Sequence, residues 1–324
     1  MDDEFHYYIT ALAALRAGLN KNDAYIIAYA SQYTDDNETI FDIAPGTPDA
    51  YRNYISQTMN ILKPGKELMR IYPIFHFMPG DSEDILGDSS RRCDGKLHLL
   101  NTTPANRNAS RLLRAALASR NLYRIGIASH TFADTFAHQN FVGYYDAYNG
   151  MKGLLDGIKP DIGHADAEHH PDWPAHRWKD SRLIASHAVI DNKKRVLAAA
   201  GHLFDHYYAY GNGTDAGSAQ KRGDFIDEID TAIGTYDLTN EKRDRRIGRY
   251  RILLGSDLAE YDRHAWLNAA VKKSVGLFQW DYSWKENYQE SHWLKFQEAV
   301  KAQQWLVKDE ILKPIFDTME LKNL

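Results

Sequence analysis

The nine residues from His130 to His138 carry two histidines and an aspartate at intervals of four: His130, Asp134 and His138. In a helix, side chains four residues apart lie on one face about one turn apart, so these three metal-binding groups point the same way. A window of this kind is expected roughly 0.08 times by chance in a chain of this composition. The pattern indicates either a metal site or, equally, polar side chains that hydrogen-bond within a core.

Other metal-binding residue types follow in the first half of the chain. His6 opens the first predicted helix, and Asp35 and Asp36 end the second, where the helix dipole disfavours carboxylates unless a cation is near. His76 lies between aromatic residues just before a turn. A long polar loop adds an H-x3-E pair and further ligand types: His164, Glu168, His169, His170, Asp172 and His176. Taken singly, each residue is also explained by a packed core, a turn or a solvated loop.

Cysteine is almost absent, since Cys93 is the only one among 324 residues. This excludes an intramolecular disulfide and a zinc site built from several thiolates. Any metal must then be bound by His, Asp, Glu or backbone groups. Ligands of that kind favour zinc, with manganese and iron as alternatives.

Helices must position these residues, because apolar residues recur at helical spacing over most of the chain. The predicted helices are Ile9–Leu19, Ala24–Tyr33, Ala109–Leu117, Tyr123–Phe136, Leu183–Phe204 and Leu294–Leu312. Alternating strand-like runs are nearly absent, and long loops are predicted at 44–48, 79–93, 159–174 and 211–217. The sequence therefore predicts an all-α fold, a single helical domain over residues 1–324 with long site-bearing loops. Division into 1–211 and 218–324 is the alternative.

Composition excludes several classes of protein. Hydrophobic residues make up 44% and charged residues 26%, which is typical of a globular chain and excludes a disordered one. A net charge of −5 supplies no overall basic field for nucleic acid. No stretch reaches the ~18 apolar residues of a membrane span, and the acidic start MDDE is unlike a signal peptide. We expect a cytoplasmic protein without a transmembrane segment, and its oligomeric state stays open.

In chain order, these residues resemble the ligands of the zinc-dependent phospholipase C and single-strand-specific nuclease superfamily. That all-helical family binds three metals through its N-terminal amine, an early His, an Asp, a His, an H-x3-D motif, a further His and a final His-x3-Asp/Glu. The matching positions here are Met1, His6, Asp35, His76, His130, Asp134, His138, His164 and Glu168. The resemblance covers residues 1–168, and it departs from the family where three residues instead of the usual five separate Asp134 from His138.

The resemblance implies up to three Zn2+ ions and hydrolysis of a phosphoester bond in a phospholipid or small phosphodiester by a metal-bound hydroxide. The implied ligand sets are Asp35, His76, His130 and Asp134 for one ion, the Met1 amine, His6 and Asp134 for a second, and His138, His164 and Glu168 for a third. Asp134 is then the bridging ligand, and Asp35 orients or deprotonates the attacking water. Asp36 and Asp42 are alternatives to Asp35, and Asp3 or Glu4 are candidates to assist the Met1 amine.

Other functions are compatible with the same residues. A single-strand nuclease or nucleotidase is supported only by the basic run 241–251, whose interleaved acids are typical of a solvated helix face. A non-catalytic helical protein with structural metals predicts closed coordination spheres, because catalytic zinc keeps an open position. If the chain binds no metal, the histidines are expected to be scattered in space.

Overall fold

The computed structural model of this chain describes residues 1–58, 68–81, 83–85, 91–151, 162–215, 217–255, 258–275 and 280–318. Among these residues about 54% are helical and 10% are in strands or bridges, and they include one sheet of four strands and one of two. The all-α prediction is therefore wrong, and the fold is mixed α and β. Residues 82 and 86–90 of the predicted 79–93 loop, 159–161 of the 159–174 loop and 216 of the 211–217 loop lie outside the described residues.

Helices form most of the body. A π-helical segment, Glu4–Ile9, continues directly into α1, Thr10–Arg16. The α-helices that follow are α2 (Lys21–Asp36), α3 (Tyr72–Phe75), α4 (Arg107–Ala118), α5 (Leu122–Ala137), α6 (Asn192–Asn212), α7 (Ser218–Ile233), α8 (Arg243–Leu254), α9 (Ala265–Ala270), α10 (His292–Val307) and α11 (Lys313–Thr318). The helix predicted from Leu183 begins only at Asn192, since a strand precedes it.

The strands are two to five residues long. β1 (Asp42–Ile43), β2 (Tyr51–Arg52), β5 (Val271–Val275) and β6 (Trp280–Trp284) form a sheet in the order β2-β1-β6-β5, and β3 (Arg177–Lys179) pairs with β4 (Val189–Asp191). Only the β1–β6 pairing is parallel within these sheets. Segments this short show no readable alternation, and β5 is exposed at every position after Val271. These two features explain why the sequence pattern missed the strands.

Helix α5 lies in the interior of the protein. Asn121 caps its N-terminus by accepting hydrogen bonds from the backbone amides of Tyr123 and Arg124. Every residue in the range 125–137 is buried, as expected for a helix that is apolar on most sides. The helix that carries the H-x3-D-x3-H pattern is thus part of the core.

Close packing between α5 and α2 brings predicted ligands together. Gly126 makes this approach possible, because a Cβ at that position would lie 2.5 Å from the carbonyl oxygen of Ile27 on α2. The same contact sets the end of α2, with Asp35, beside the second half of α5. A backbone approach of this kind requires glycine.

One hydrophobic core includes residues from Met1 to Phe316 and therefore draws on both parts of the alternative division near residues 211–218. A smaller buried cluster lies beneath the loop segment that follows residue 162, and it contains Phe77, Phe141, Ala167, Trp178, Leu183 and Ile190. Within the described part of the chain, no helix combines the length and the apolar character that crossing a membrane requires.

Candidate metal centre

Helix α5 and its C-terminal residue carry three of the predicted ligands. His130 and Asp134 are one turn apart and both buried, at 0% and 1% exposure. His138 directly follows the helix, and its backbone N–H donates to the carbonyl of Asp134 at 2.8 Å. His130 and Asp134 therefore lie on one face of α5, as the spacing predicts. His138 lies beyond the helix, and its side chain points toward a neighbouring group of candidate ligands.

Four side chains form the first group of candidate ligand atoms. His76 Nδ1 and His130 Nε2 are 3.0 Å apart, and they lie 3.2 and 3.1 Å from Asp134 Oδ2. Asp35 Oδ1 is 3.6 Å from both ring nitrogens. A tetrahedral zinc site with ligand bonds of 2.0–2.2 Å has ligand-to-ligand distances of about 3.3–3.6 Å. The donor set and its spacing therefore suit a divalent metal.

The N-terminal segment supplies the second group. The Met1 amine nitrogen lies 2.5 Å from Asp134 Oδ1, and His6 Nε2 lies 3.1 Å from the same oxygen. His6 also stacks on His130, with ring centroids 3.8 Å apart. The two oxygens of Asp134 thus face different sets of nitrogens, which is the arrangement required of a carboxylate that bridges two ions.

The third group lies between the end of α5 and the loop that follows residue 162. His138 Nε2 is 3.5 Å from Asp172 Oδ1, and His164 Nε2 is 3.6 Å from Asp172 Oδ2. Asp172 takes the place that the H-x3-E pattern assigned to Glu168. Glu168 has a left-handed backbone, with φ of 54°, and its carbonyl accepts a hydrogen bond from His164 Nδ1 at 2.8 Å.

In three histidines, one ring nitrogen carries a hydrogen that it donates to a backbone carbonyl. His76 Nε2 donates to the carbonyl of Ser56 at 2.9 Å, and His138 Nδ1 donates to the carbonyl of His76 at 2.8 Å. With the His164 bond to Glu168, each ring then turns its other nitrogen toward a carboxylate oxygen. A proton or a metal ion between the nitrogen and the oxygen makes such a contact favourable, and carbonyl partners of this kind are typical of metal-bound histidines.

Burial and mutual charge shift the pKa values of the cluster. Burial would raise the pKa of Asp134, but electrostatic interactions with His138, the Met1 amine and His130 outweigh it and place the pKa well below its usual range. Burial lowers the pKa of His138 to about 4. Burial also opposes the charge on the Met1 amine, yet Asp134 and Asp172 raise its pKa to about 11. A proton or a metal ion is thus required to balance the buried carboxylates.

A cavity of about 730 Å³ opens over the three groups. Metal-site residues line its floor, and the aromatic side chains of Tyr72, Phe77 and Trp173 line its wall. Asp172 Oδ1 is buried and makes no hydrogen bond among the described residues, although the Met1 amine nitrogen lies 3.4 Å from it. A buried carboxylate oxygen without a hydrogen bond is costly, and the nearby amine charge, or a metal ion beside it, offsets that cost.

A family of unknown function, DUF6765, matches residues 1–311. The chain belongs to the DUF6765 family. No curated protein and no solved structure matches this DUF6765 chain. The relationship to phospholipase C therefore stays a prediction based on the ligand series.

The DUF6765 chain brings most of the predicted ligands within one site. The groups with mutually close ligand atoms contain His6, Asp35, His76, His130, Asp134, His138, His164 and Asp172, with the Met1 amine beside them. The alternatives are placed elsewhere: Asp36 accepts from the Tyr261 hydroxyl, and Asp42 pairs with Arg52 at the surface. Asp3 and Glu4 pair with arginines of α8.

Sequence reasoning named Asp172 within the polar loop but did not choose it as a ligand. Its signal was a proline-bounded run, His-His-Pro-Asp, eight residues after His164. The H-x3-E rule assumes a helix, whereas only Ala165–Ala167 forms a short 3-10 turn here. The loop then reverses, and that reversal brings Asp172 back toward His164.

Proposed function

We propose that this chain is a metal-dependent hydrolase of phosphoester bonds, similar to phospholipase C, with up to three Zn2+ ions. The observation that carries the proposal is the set of histidine nitrogens directed at buried carboxylates. His76, His138 and His164 each donate one ring N–H to a carbonyl and turn the other nitrogen to an aspartate. Closely spaced nitrogen and carboxylate ligands without thiolates favour zinc among biological metals.

The residues divide into those that bind and those that face the cavity. Bound divalent metals would supply Lewis acidity and lower the pKa of water. Asp134, 1% exposed, connects the first two groups through its two oxygens. Asp35 is more open, with its side chain 24% exposed and in the cavity wall. We therefore assign Asp134 the bridging role, and Asp35 the orientation of water beside the substrate.

The lining of the cavity supports a small phosphodiester or a phospholipid head group as the substrate. Carboxylates that are not ligands stand at its rim, including Asp36, Glu38 and Glu168, and Arg263 already pairs with two of them. A polyanion such as single-stranded nucleic acid is repelled by such a rim. The nuclease alternative is therefore the weaker one. Action on a cytoplasmic substrate stays part of the proposal.

Metal content and hydrolysis test the proposal together. Protein reconstituted with Zn2+ is analysed for metal, and hydrolysis of a chromogenic phosphodiester is followed with and without chelator. Asp35→Asn is expected to lower the rate at least about 100-fold. Asp42→Asn is the matched control, because this exposed aspartate pairs only with Arg52 among the described residues, and its rate is expected to stay within about twofold of wild type.

Three results would count against the proposed hydrolase. Absence of bound metal after reconstitution refutes the proposal outright. Hydrolysis that neither chelator nor Asp35→Asn reduces also refutes it. Tightly bound metal with no hydrolysis of phosphodiesters or phospholipids favours structural metals instead.

A further inference from the structure

A second concavity, of about 450 Å³, lies between the C-terminal halves of α4 and α6. It is lined by Arg114, Leu117, Ala118, Arg120, His206, Ala209 and Tyr210. We call it the α4–α6 groove. It shares no lining residue with the cavity over the metal centre, so its chemistry is independent of the proposed function.

The groove is positively charged, although the chain as a whole carries a net charge of −5. Arg114 and Arg120 line it together with His206, and no acidic residue lines it. Within the described part of the chain, neither guanidinium has a hydrogen-bond or ion-pair partner. Many of the other arginines are paired with carboxylates, as Arg16 is with Glu228 at 2.6 Å.

The helix termini do not account for these two arginines. Cations near a helix C-terminus interact favourably with its dipole, and they often donate to the last carbonyls. Here the last turn of α4 is closed by Ser119, whose backbone amide and hydroxyl both donate to the carbonyl of Ala116. Among the described residues, no carbonyl accepts from Arg114 or Arg120, so both guanidinium groups keep their donors for a ligand.

His206 lies close enough to Arg114 in the groove for the guanidinium charge to affect the pKa of the imidazole. Burial lowers the pKa of His206, and the nearby positive charge of Arg114 lowers it further, followed by His202; Asp215 acts weakly in the opposite direction. A largely neutral imidazole retains one N–H donor at neutral pH. The groove therefore offers that N–H, two guanidinium groups and the Tyr210 hydroxyl as donors.

We propose that the α4–α6 groove binds the phosphate group of a small anionic ligand. A carboxylate has two oxygens and is satisfied by a single guanidinium fork, whereas a phosphate has three or four oxygens and up to two charges. Two separate arginines and a histidine match the larger anion. Leu117, Ala118 and Ala209 add an apolar floor against which an organic substituent of a phosphate ester packs.

Side-chain NMR of His206 tests the proposal at the groove itself. The imidazole signals, assigned with His206→Gln, are followed during titration with inorganic phosphate and with phenylphosphonate, whose C–P bond resists hydrolysis. The titrations are run at constant ionic strength against chloride. This local readout separates the groove from any phosphate that binds at the metal centre. Stronger binding of phenylphosphonate identifies a phosphate ester as the ligand, and equal binding identifies free phosphate; both support the proposal.

Arginine-to-glutamine substitutions in the groove supply the test, and one outside the groove supplies the control. In Arg114→Gln/Arg120→Gln, the apparent dissociation constant is expected to rise at least about tenfold. In Arg245→Gln, an exposed arginine of α8 without a partner among the described residues, it is expected to stay within about twofold of wild type. The proposal is overturned if the His206 signals do not move at millimolar phosphate, or if the double variant titrates like wild type. Both arginines are exposed, so these substitutions are expected to leave the fold intact.

Discussion

Replacing Asp134 with asparagine is expected to abolish two of the three metal positions and to leave the third in place. Oδ1 of Asp134 lies 2.5 Å from the Met1 amine and 3.1 Å from His6 Nε2, while Oδ2 lies 3.1 Å from His130 Nε2 and 3.2 Å from His76 Nδ1. Asparagine keeps one oxygen and replaces the other by an NH2 group that cannot bind a cation. It also removes the negative charge that both groups share.

The size of the effect follows from the number of lost contacts. Loss of a partner outside the coordination sphere already lowers metal affinity about 10–100-fold, and Asp134 is itself a candidate ligand. We therefore expect at least about 100-fold weaker binding at each of the two positions, or about 3 kcal/mol. The Met1 amine also loses the carboxylate at 2.5 Å, and a broken buried ion pair costs about 3–5 kcal/mol.

Metal analysis after dialysis distinguishes the groups. Asp134→Asn is expected to retain one equivalent, held by His138, His164 and Asp172, whereas Asp172→Asn is expected to lose that equivalent and retain two. Far-UV circular dichroism and thermal unfolding monitor the fold of both variants. The reasoning is refuted if Asp134→Asn keeps three equivalents, or if a folded Asp134→Asn protein binds none.

Four further predictions follow from the same geometry. Glu168→Gln is expected to retain all metal where Asp172→Asn loses one equivalent, and equal losses in both would return Glu168 to the ligand set. A non-removable Gly-Ser extension before Met1 is expected to lower metal content by one equivalent, because it converts the amine into an amide; unchanged content would exclude the amine as a ligand. Gly126→Ala is expected to destabilise the protein by about 1–3 kcal/mol in urea unfolding despite alanine's better helix propensity, since its Cβ meets the Ile27 carbonyl at 2.5 Å. Chelation is expected to lower Tm by about 5–10 °C, as loss of a ligand present at 1,000 times its dissociation constant removes about 4 kcal/mol; an unchanged Tm would contradict metal-linked folding.

Periodic patterns predicted α1, α2, α4, α5 and α10, because an apolar stripe that a helix buries has a regular spacing in the sequence. They did not single out α7 or α8, and they placed the start of α6 nine residues too early. The run from Tyr123 to Phe136 coincides with α5 to within one residue at each end. The strands had no comparable signal. Strand β6, Trp280–Trp284, pairs with Val271–Val275 and, through Tyr282, with Ile43 of β1, so its formation depends on partners outside the segment itself.

The candidate site was predictable where local spacing sets the geometry, and less so where the path of a loop sets it. His130 and Asp134 meet because four residues of helix make one turn. Asp172 lies near His164 because the loop reverses its direction over residues 162–176. Asn192, outside this loop, stabilises it, since its side chain donates to the carbonyls of His170 and Trp173. No sequence pattern within the loop indicates that Asp172 contacts His164.

The basic run 241–251 contacts the N-terminal segment that carries two of the candidate ligands. Its spacing was interpreted as a solvated helix face or as a weak mark of nucleic-acid binding. In the structure Arg246 is 1% exposed and makes two 2.8 Å bonds to the carboxylate of Glu4, which is also buried.

The pairs made by α8 fix the segment that carries the second ligand group. Arg243 binds Asp3, and Arg246 joins Glu4 to Asp237. Buried ion pairs contribute little net stability, but they permit only one register of the segments that they join. Asp3 and Glu4 stand directly between the Met1 amine and His6 in the sequence, so this register sets where both nitrogens lie relative to Asp134. The C-terminal third of the chain, for which sequence patterns gave no role, thereby positions the N-terminal ligands.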